Sequence, residues 1–453
     1  MRMFKSALAS GILPLLAVMP VQLDGQEAAY DRAKDPHQFT VFMKEGGWCW
    51  FQDPRAIVHD GTLFIGSIQG NGSGDALVGV YDLRQNKARG TVTMHEGFDR
   101  DDHNSPVFHL RPDGGVLAVY AKHHIDRFHY SRVSSPSDPL KWSKETRHER
   151  AMPNPSDRVT YMNLHELRNE GELLLLFRGI DFNPTLVKSS DHGLTWSDPL
   201  HFIGSEIKGR HRPYARYADN GADTLHMSFT DAHPRDFGNS IYYAAYRDGY
   251  FVRADGTKIK SLVDAGPLLP SEAERVYAGS GAKGRGHSLS APGAAWTSSI
   301  AFDADGHPHI AYTLYLGNKD NRFRLASWNG KEWIDREVAH AGKCLYDRES
   351  SYTGLITMDP ADPEQVFLST DVDPTTGADS GGNHEIYRAK VGAHESIRTI
   401  VWRPVTKSSP VRNLRPMVLR DGAQRIVLWN RGDFRTYVDY QLDTVGFVEP
   451  ASP

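Results

Sequence analysis

Two histidines, His103 and His123, lie at the two ends of a predicted β-hairpin. Between them the chain runs through a short strand, a Pro-Asp-Gly-Gly turn at 112–115 and an apolar strand at 116–120. Because a hairpin brings its ends together, the two imidazoles can stand side by side, and such a pair can act as an acid–base device near neutral pH. The alternative is two unrelated surface histidines in a chain that has 21 of them. His124 follows His123 directly and could take its place.

The elements that would position these histidines are short strands joined by tight turns. Asp-Gly pairs, which are hairpin signals, recur at positions 113, 248, 255, 305 and 421. The chain has 41 glycines and 26 prolines, which suit turns, and 19 tyrosines and 19 phenylalanines, which suit strands. This composition predicts an all-β fold.

One stretch, SSDHGLTW at 189–196, matches the Asp-box pattern S-x-D-x-G-x-T-W at each fixed position, and weaker copies occur at 135–142 and 327–333. The aspartate of an Asp box, here Asp191, caps backbone amides, and the tryptophan packs between blades, so we interpret the motif as structural. Asp boxes at this spacing are typical of β-propellers, and a mature chain of about 420 residues at roughly 60 per blade gives seven blades. The prediction is a seven-bladed β-propeller of antiparallel four-stranded blades, forming one domain over residues 27–453.

The N-terminus is typical of an export signal, with a basic start at 1–5, an apolar stretch at 6–23 and an end placed at residue 26. We therefore expect a secreted or periplasmic monomer with no membrane segment beyond the signal. A net charge of −4 offers no general argument for binding nucleic acid. The two cysteines, Cys49 and Cys344, could form a disulfide, bind a metal or be buried thiols, and burial is the default for Cys49 between two tryptophans.

The densest positive run in this mildly acidic chain is KGRHRPYARY at 208–217. Arg212 can pair with carboxylate or sulfate groups, and Tyr214 and Tyr217 can stack on sugar faces. These three residues, together with His124, are our candidates for binding an anionic polysaccharide. The alternative is a solvated loop with a run of charge.

Several motifs in a fixed order point to one family. They are GGWCWFQDPRA at 46–56, DHNSP at 102–106 with YAKH at 120–123, YMNL at 161–164 with FRG at 177–179, RPY at 212–214 with TDAHP at 230–234, and YTG at 352–354. Together they resemble propeller proteins of the BNR-repeat type that include the ulvan lyases, and the resemblance covers nearly the whole mature chain. Ulvan lyases cleave a sulfated rhamnose–uronate polymer by β-elimination.

The resemblance implies an active site in a cleft on one face of the ring, with catalysis by His, Tyr and Arg and without a redox cofactor. The matching positions in this sequence are His103, His123, Tyr161 and Arg178. Some relatives also carry a structural zinc ion. The leading candidate ligands for it here are His233, His340 and Cys344, of which the last two have a spacing compatible with zinc. The alternative is a buried thiol near an unrelated histidine.

β-Elimination removes the proton on C5 of a uronate and expels the oxygen on C4. Because the adjacent carboxylate makes that proton a poor acid, a cation must neutralise it, and the planar guanidinium of Arg178 suits this task. We assign His103 as the base and Tyr161 as the acid, with the pKa of Tyr161 lowered by Arg178, or one of them in both roles. His123 would orient, donate or help to neutralise. The structural alternatives are an ion-paired arginine at a strand end and a core tyrosine.

Two other functions compete with a polysaccharide lyase. A sialidase-like propeller glycoside hydrolase needs an arginine triad, a tyrosine nucleophile with a carboxylate partner and an acidic residue. Arginines are plentiful here, but the histidine pair has no role in such an enzyme. A non-catalytic carbohydrate-binding propeller would keep its whole function when His103 is replaced by alanine.

Overall fold

Seven antiparallel sheets follow one another along the chain in the computed structural model, which describes residues 39–149, 151–207, 212–286 and 288–451. Five of the sheets have four strands, whereas the second and fourth along the chain have five and six. The sheets form the blades of a β-propeller, which confirms the predicted all-β fold and the number of blades. The helical segments among these residues are short, namely the 3-10 turns Asp102–Asn104 and Ile180–Phe182 and the helix α1, Leu262–Ala265.

The first three blades contain the predicted catalytic residues or flank them. Strand β1, which precedes them, is Thr40–Met43. Blade 1 consists of β2 Ala56–His59, β3 Thr62–Ile68, β4 Ala76–Asp82 and β5 Lys87–His95. Blade 2 consists of β6 Val107–Leu110, β7 Val116–Tyr120, β8 Phe128–Ser135, β9 Asp138–Trp142 and β10 Thr146–Glu149. Blade 3 consists of β11 Thr160–Leu167, β12 Glu172–Arg178, β13 Pro184–Ser189 and β14 Leu200–His201.

The other four blades complete the ring. Blade 4 consists of β15 Ala215–Asp219, β16 Leu225–Thr230, β17 Ile241–Arg247, β18 Tyr250–Val252, β19 Lys258–Ser261 and β20 Glu274–Tyr277. Blade 5 consists of β21 Ala294–Phe302, β22 Pro308–Gly317, β23 Asp320–Trp328 and β24 Trp333–Gly342. Blade 6 consists of β25 Ile356–Asp359, β26 Asp362–Thr370, β27 Glu385–Lys390 and β28 Arg403–Pro404. Blade 7 consists of β29 Arg412–Asp421, β30 Gln424–Thr436 and β31 Asp439–Pro450.

The ring closes at two places. The first strand of each blade lies against the first strand of the next, and β29 of blade 7 returns to β2 of blade 1. The N-terminal strand β1 then pairs antiparallel with β31 and becomes the outermost strand of blade 7. Joining the two ends of the chain in one sheet leaves no unpaired blade at the seam.

Strand β12, with the sequence ELLLLFR, shows how the blades pack face to face. Leu173 and Leu175 lie in a core cluster with apolar side chains of blade 2, whereas Leu174 and Leu176 lie in a second cluster with those of blade 4. Successive side chains of a strand point to opposite faces of its sheet. A strand in a sheet that is covered on both faces therefore needs an unbroken run of apolar residues. A strand with one exposed face would instead alternate apolar and polar residues.

The Asp box occupies the turn after β13 and has the structural role that its sequence predicts. The carboxylate of Asp191 accepts hydrogen bonds from the amides of Leu194 at 3.1 Å and Thr195 at 2.9 Å, and from the Thr195 hydroxyl at 2.6 Å. Trp196 packs against the core cluster that blades 2 and 3 share. These hydrogen bonds account for the pKa of Asp191, which falls to about 2 against the opposing effect of burial.

Three further expectations concern the ends of the chain and the cysteines. The predicted export signal at 1–26 lies outside the described residues. Within those residues, no helix is long and apolar enough to span a membrane. Cys49 and Cys344 are both buried and both free, so the disulfide considered from the sequence does not form.

Candidate active site

The segment 46–54, which precedes blade 1, packs across the centre of the ring, and we call it the plug. Its side chains belong to a core cluster that includes residues from the inner ends of blades 3 to 7. Trp50 packs edge-on against Trp296 of blade 5 at 5.2 Å between ring centroids, and Phe51 packs against Tyr214, directly before blade 4, at 4.9 Å. The aromatic residues of the plug therefore form the floor of the candidate site.

Three buried arginines hold the plug from different sides of the ring. Arg55, Arg216 and Arg415 each donate a hydrogen bond to a backbone carbonyl of the plug. Their charges are balanced by two acids, because the half-buried Asp53 pairs with both Arg55 and Arg216, and the buried Asp102 pairs with Arg415 at 2.6 Å. These arginines serve the structure of the ring and are not available to a ligand.

The two histidines of the predicted hairpin do meet. β6 pairs antiparallel with β7, and the rings of His103 and His123 stack with centroids 4.3 Å apart and an interplanar angle of 25°. Asp101 joins them, since one carboxylate oxygen lies 2.5 Å from Nδ1 of His103 and the other lies 2.8 Å from Nδ1 of His123. The side chain of Asn104 accepts a hydrogen bond from the His123 amide at 2.5 Å and fixes the backbone there.

The two imidazoles differ in charge. Burial opposes protonation of His103, but Cys49 and Asp101 raise the pKa of His103 well above its ordinary value. Burial, together with the charge on His103, lowers the pKa of His123 to about 4. Burial would raise the pKa of Asp101, but the two histidines hold it well below its usual range. Near neutral pH the pair therefore consists of a charged His103 and a neutral His123.

This difference determines which nitrogen is free to accept a proton. Nδ1 of His103 faces Asp101, and its Nε2 lies 3.2 Å from the hydroxyl of Tyr352, so both ring nitrogens are engaged as donors. His123 donates from Nδ1 to Asp101 and keeps a lone pair on Nε2, which lies 3.5 Å from the hydroxyl of Tyr161. The side chain of His123 is 21% exposed and that of His103 is 1% exposed. His123 is the better placed base of the two.

Tyr161 reaches the histidines because β11 begins with an irregularity. The register with β12 shifts between Thr160 and Asn163, and Tyr161 has a φ of 59°. The Asn163 side chain donates to the carbonyl of Tyr161 at 2.7 Å and to that of Phe51 in the plug at 2.9 Å, which holds the bulge in place. A bulge of this kind redirects a side chain at the rim of a sheet.

Arg178 ends β12 beside Tyr161, as the sequence predicted. Its guanidinium lies over the ring of Tyr161 at 4.7 Å and donates to the hydroxyl of Tyr214 at 3.4 Å. Among the residues that the structure describes, no carboxylate forms a salt bridge with Arg178, which is only 5% exposed. A buried guanidinium that faces tyrosines is poised for an anionic group from outside the protein.

Tyr161 differs from our expectation in one respect. We predicted that Arg178 lowers its pKa, and Arg178 does act in that direction together with His103. Burial outweighs both, so the pKa of Tyr161 lies well above its ordinary value. Tyr161 therefore stays protonated and is suited to donate a proton.

Arg212 and His124 are partly exposed beside blade 3, whereas Tyr214, which we expected to stack on a sugar, is only 5% exposed and belongs to the core cluster around the plug. The Arg212 guanidinium lies 5.8 Å from the ring centroids of both Tyr214 and Phe182, and the ring of His124 packs against Phe182 at 4.4 Å. Burial would raise the pKa of Tyr214, but Arg212 and Arg178 lower it to about 8. Of the two described arginines in the basic run at 208–217, Arg212 thus lies beside the catalytic candidates and Arg216 holds the plug.

Two solved polysaccharide lyases share this fold, and a third solved structure aligns more weakly. A polysaccharide lyase described as a PL25 ulvan lyase, bound to -[GlcA(1-4)Rha3S]-, aligns with a TM-score of 0.62 and 17% identity over 89% of this chain and 94% of its own. The polysaccharide lyase Uly1 aligns with a TM-score of 0.57 and 12% identity over 94% of each chain. An α-L-arabinanase from Penicillium chrysogenum aligns with a TM-score of 0.42 and 12% identity over 76% of this chain and 92% of its own. No curated protein sequence matches the chain.

A family model settles the relationship at the level of sequence. The model of a BNR repeat-containing family member matches residues 38–341, which is more than half of the chain. The chain belongs to the BNR repeat-containing family. Its Asp box and its seven blades agree with that assignment.

In this BNR-repeat propeller, Tyr217 does not lie where we expected it. It is 6% exposed and belongs to the core cluster between blades 3 and 4. The small cavity beside it is also lined by Tyr161, Arg178 and Tyr214. Because β15 points alternate side chains to opposite faces, Tyr217 enters the core and cannot stack on a sugar at the surface.

The three predicted zinc ligands do not come together. The ring of His233 packs against Trp296 at 4.7 Å, and its Nδ1 accepts a hydrogen bond from the amide of Arg235 at 3.1 Å. His340 ends β24, and Cys344 lies in the loop after it. Among the described residues, no group of three potential ligands within 4.8 Å of one another includes any of the three. These residues do not fit one zinc ion, and a structural zinc in this protein stays a prediction.

Sequence reasoning missed two residues of the site. Asp101 was not among the candidate site residues, although its carboxylate holds both histidines. Tyr352 was noticed only as part of a motif, although its hydroxyl meets His103. The acidic pair directly before His103 was the available signal for Asp101. Tyr352 is 249 positions away from its partner, and nothing local indicates the contact.

Proposed function

We propose that the protein is a secreted polysaccharide lyase that cleaves a uronate-containing, sulfated polymer of the ulvan type by β-elimination. The cleft formed by His103, His123, Tyr161 and Arg178 would be its active site. Arg212 and His124 would bind the polymer at the rim, and the buried Tyr214 would help to hold Arg178 through its hydroxyl. The fold that the chain shares with two polysaccharide lyases supports the reaction class, and the predicted export signal suits a polymer that cannot enter a cell.

The observation that carries this proposal is the environment of Arg178. Its charge has no carboxylate partner among the described residues, and it lies next to a proton donor and a neutral base. A uronate carboxylate bound by the guanidinium would lose much of its negative charge. This would acidify the C5 proton, which is the main obstacle to elimination.

The roles of the two histidines differ from those we assigned on sequence alone. His123, with Nε2 unprotonated, would take the proton from C5. The electron pair of the C5–H bond would form the C4–C5 double bond, and the bond from C4 to the bridging oxygen would break. Tyr161 would protonate that oxygen as it leaves. The fixed positive charge of His103 would stabilise the negative charge that develops in the cleft.

The contact between His123 and Tyr161 lets both residues return to their starting protonation states. After one turnover His123 carries the C5 proton, and Tyr161 lacks the proton that it gave to the leaving oxygen. Because the His123 Nε2 and the Tyr161 hydroxyl are 3.5 Å apart, the proton can return directly from one to the other. The products are an unsaturated uronate at one new end and a free hydroxyl at the other, and no cofactor enters this scheme.

The competing hydrolase function finds little support. A sialidase-like site needs three arginines open to a carboxylate at the centre of the ring. The central arginines Arg55, Arg216 and Arg415 are committed to the plug and to Asp53 and Asp102. A binding-only propeller would not need a neutral imidazole in contact with a buried phenol.

The experiment is an incubation with ulvan, followed both by ultraviolet absorbance and by an assay for new reducing ends. Heparan and chondroitin types of polymer and alginate complete the panel. We expect absorbance and reducing ends to rise together on ulvan. Reducing ends without absorbance would show hydrolysis, and polymer binding without either signal on prolonged incubation would show a binding protein.

A further inference from the structure

A second group of two histidines and a carboxylate lies between blades 2 and 3, at the far ends of the strands whose near ends form the cleft. His109 lies near the end of β6, Glu166 near the end of β11, and His192 in the Asp-box turn. Nε2 of His109 and Nδ1 of His192 each lie 3.9 Å from the same oxygen of Glu166, Oε1. One ligand atom from each residue lies within 4.8 Å of the others.

The buried member of this group lacks a partner. His109 is 8% exposed, and its Nε2 has no hydrogen-bond partner among the described residues, although it points at Glu166 and His192. Buried polar atoms in folded proteins are nearly always satisfied, because leaving one without a partner is costly. The Nε2 nitrogen of His109 is therefore available to a ligand that lies between the three side chains.

Direct hydrogen bonds do not explain the arrangement. A separation of 3.9 Å is too long for a nitrogen–oxygen hydrogen bond. The rings of His109 and His192 lie parallel at 5.8 Å, with an interplanar angle of 4°. The other oxygen of Glu166 faces the exposed Arg168 at 3.7 Å, which leaves Oε1 directed at the two imidazoles. The three groups surround a common point without touching one another.

We propose that His109, Glu166 and His192 bind a divalent transition-metal cation of the zinc type. Two imidazole nitrogens and one carboxylate oxygen form a ligand set that zinc commonly uses, with bonds of about 2.0–2.2 Å and with water in the remaining position. Ligand atoms around such an ion are separated by roughly 3.4 Å in tetrahedral geometry, so the 3.9 Å separations need to close only slightly. The side chains of His192 and Glu166 are 39% and 24% exposed, which gives the ion and its water a path to the site.

The proposed ion would have a structural role, because its ligands come from two neighbouring blades. His109 belongs to blade 2, whereas Glu166 and His192 belong to blade 3. The same two blades supply the two halves of the cleft, His103 and His123 from blade 2 and Tyr161 and Arg178 from blade 3. A cation that joins the far ends of the blades would hold them in register and stabilise the folded protein.

The test is a titration of the whole metal-free protein with Zn²⁺, followed by calorimetry, with Co²⁺ absorption spectra as a second readout. The variants are Glu166→Gln and His192→Asn. Asparagine suits position 192 because the backbone there has a φ of 56°, which asparagine tolerates. We expect each variant to lose one equivalent of bound zinc, or to bind it about 10–100-fold more weakly. We also expect Zn²⁺ to raise the melting temperature of the wild type more than that of either variant.

Matched controls separate this site from other zinc sites. His340→Ala changes a residue predicted to bind zinc elsewhere, and His307→Ala changes another histidine close to carboxylates. Both should bind the same equivalent as the wild type. If Glu166→Gln and His192→Asn bind zinc with wild-type stoichiometry and affinity, or if the wild type binds none, the proposal is wrong. Circular dichroism of each variant shows whether a loss of binding follows from misfolding.

Discussion

Blades 2 and 3 carry a two-histidine cluster at each end, and the two clusters differ in how the protein holds them. On the cleft face, Asp101 contacts both imidazoles at 2.5 and 2.8 Å, and the rings stack at 4.3 Å. On the far face, Glu166 stands 3.9 Å from both imidazoles, and the rings are 5.8 Å apart. Direct hydrogen bonds join the members of the first cluster, whereas the members of the second stand apart.

We infer from this difference that the position of the carboxylate decides what such a cluster can do. A carboxylate in hydrogen-bond contact fixes the tautomer and orientation of each ring and sets their charges, which acid–base chemistry needs. A carboxylate beyond hydrogen-bond distance leaves its own oxygen lone pair and the imidazole nitrogen lone pairs free to bind one metal ion. The predictions that follow test this distinction.

The largest effect is expected when the carboxylate of the cleft cluster is changed to an amide. Asp101→Asn removes the negative charge that keeps His103 protonated and disturbs the tautomer of His123. By analogy with buried aspartates that orient catalytic histidines, we expect the rate of ultraviolet absorbance increase on ulvan to fall by about 10⁴-fold. Asp99→Asn, the same change at an exposed position two residues earlier, is the control and should keep its activity. A normal rate in Asp101→Asn would show that the histidines need no shared acceptor.

The next effect concerns the proton donor that faces His123. Tyr161→Phe keeps the packed ring but removes the hydroxyl, and the lyase rate should fall by roughly 10³-fold, in the range typical of general acid catalysis. Tyr246→Phe removes a hydroxyl from a core tyrosine of blade 4 and should leave the rate unchanged. Near wild-type activity in Tyr161→Phe would show that another group acts as the acid.

The guanidinium of Arg178 should show a smaller effect. Arg178→Lys keeps the charge but loses the planar fork, and we expect kcat/KM to fall roughly 10–100-fold, which corresponds to one charged hydrogen bond. Arg132→Lys, on the outer part of blade 2, is a control for the general effect of the substitution. If kcat/KM is retained in Arg178→Lys, a simple positive charge is enough to neutralise the uronate.

The pH profile tests the charge difference between the two histidines. Because burial and His103 lower the pKa of His123 to about 4, the base is neutral above that pH and charged below it. We expect kcat/KM to fall about tenfold per pH unit below about 4. Folding stability should fall too as the pH drops from about 6.5 towards 4, since the unfolded chain binds that proton more readily. Fluorescence at each pH separates loss of fold from loss of activity, and an acid limb near 6.5 would contradict the assignment.

The smallest effect should come from the Asp box, which lies beside the far-face cluster. Asp191→Ala removes an acceptor of four hydrogen bonds in an exposed turn and should lower the free energy of unfolding by about 1–2 kcal/mol. The lyase rate should not change, because the turn is at the opposite end of blade 3 from Tyr161. Chemical denaturation measures the first quantity, and a loss of rate without unfolding would show coupling between the two faces.

Much of the fold and part of the site could be predicted from local sequence patterns. The Asp box at 189–196, the Asp-Gly turns and the apolar runs predicted a seven-bladed propeller, because they depend on residues close together in the chain. The hairpin between His103 and His123 followed from the same reasoning. Arg178 at the end of β12 was also predictable, because an apolar run that ends in a charged residue usually ends at a rim.

Only the tertiary structure decided the chemistry of these residues. We expected Tyr214 and Tyr217 to stack on a sugar, yet both are buried, Tyr214 in the core cluster around the plug and Tyr217 in the cluster between blades 3 and 4. His103 was predicted to be the base, but in the structure Asp101 and Tyr352 contact both of its ring nitrogens. The far-face cluster joins two blades and has no local signature. Charge and protonation depend on burial and on partners from distant parts of the chain, and a linear pattern contains neither.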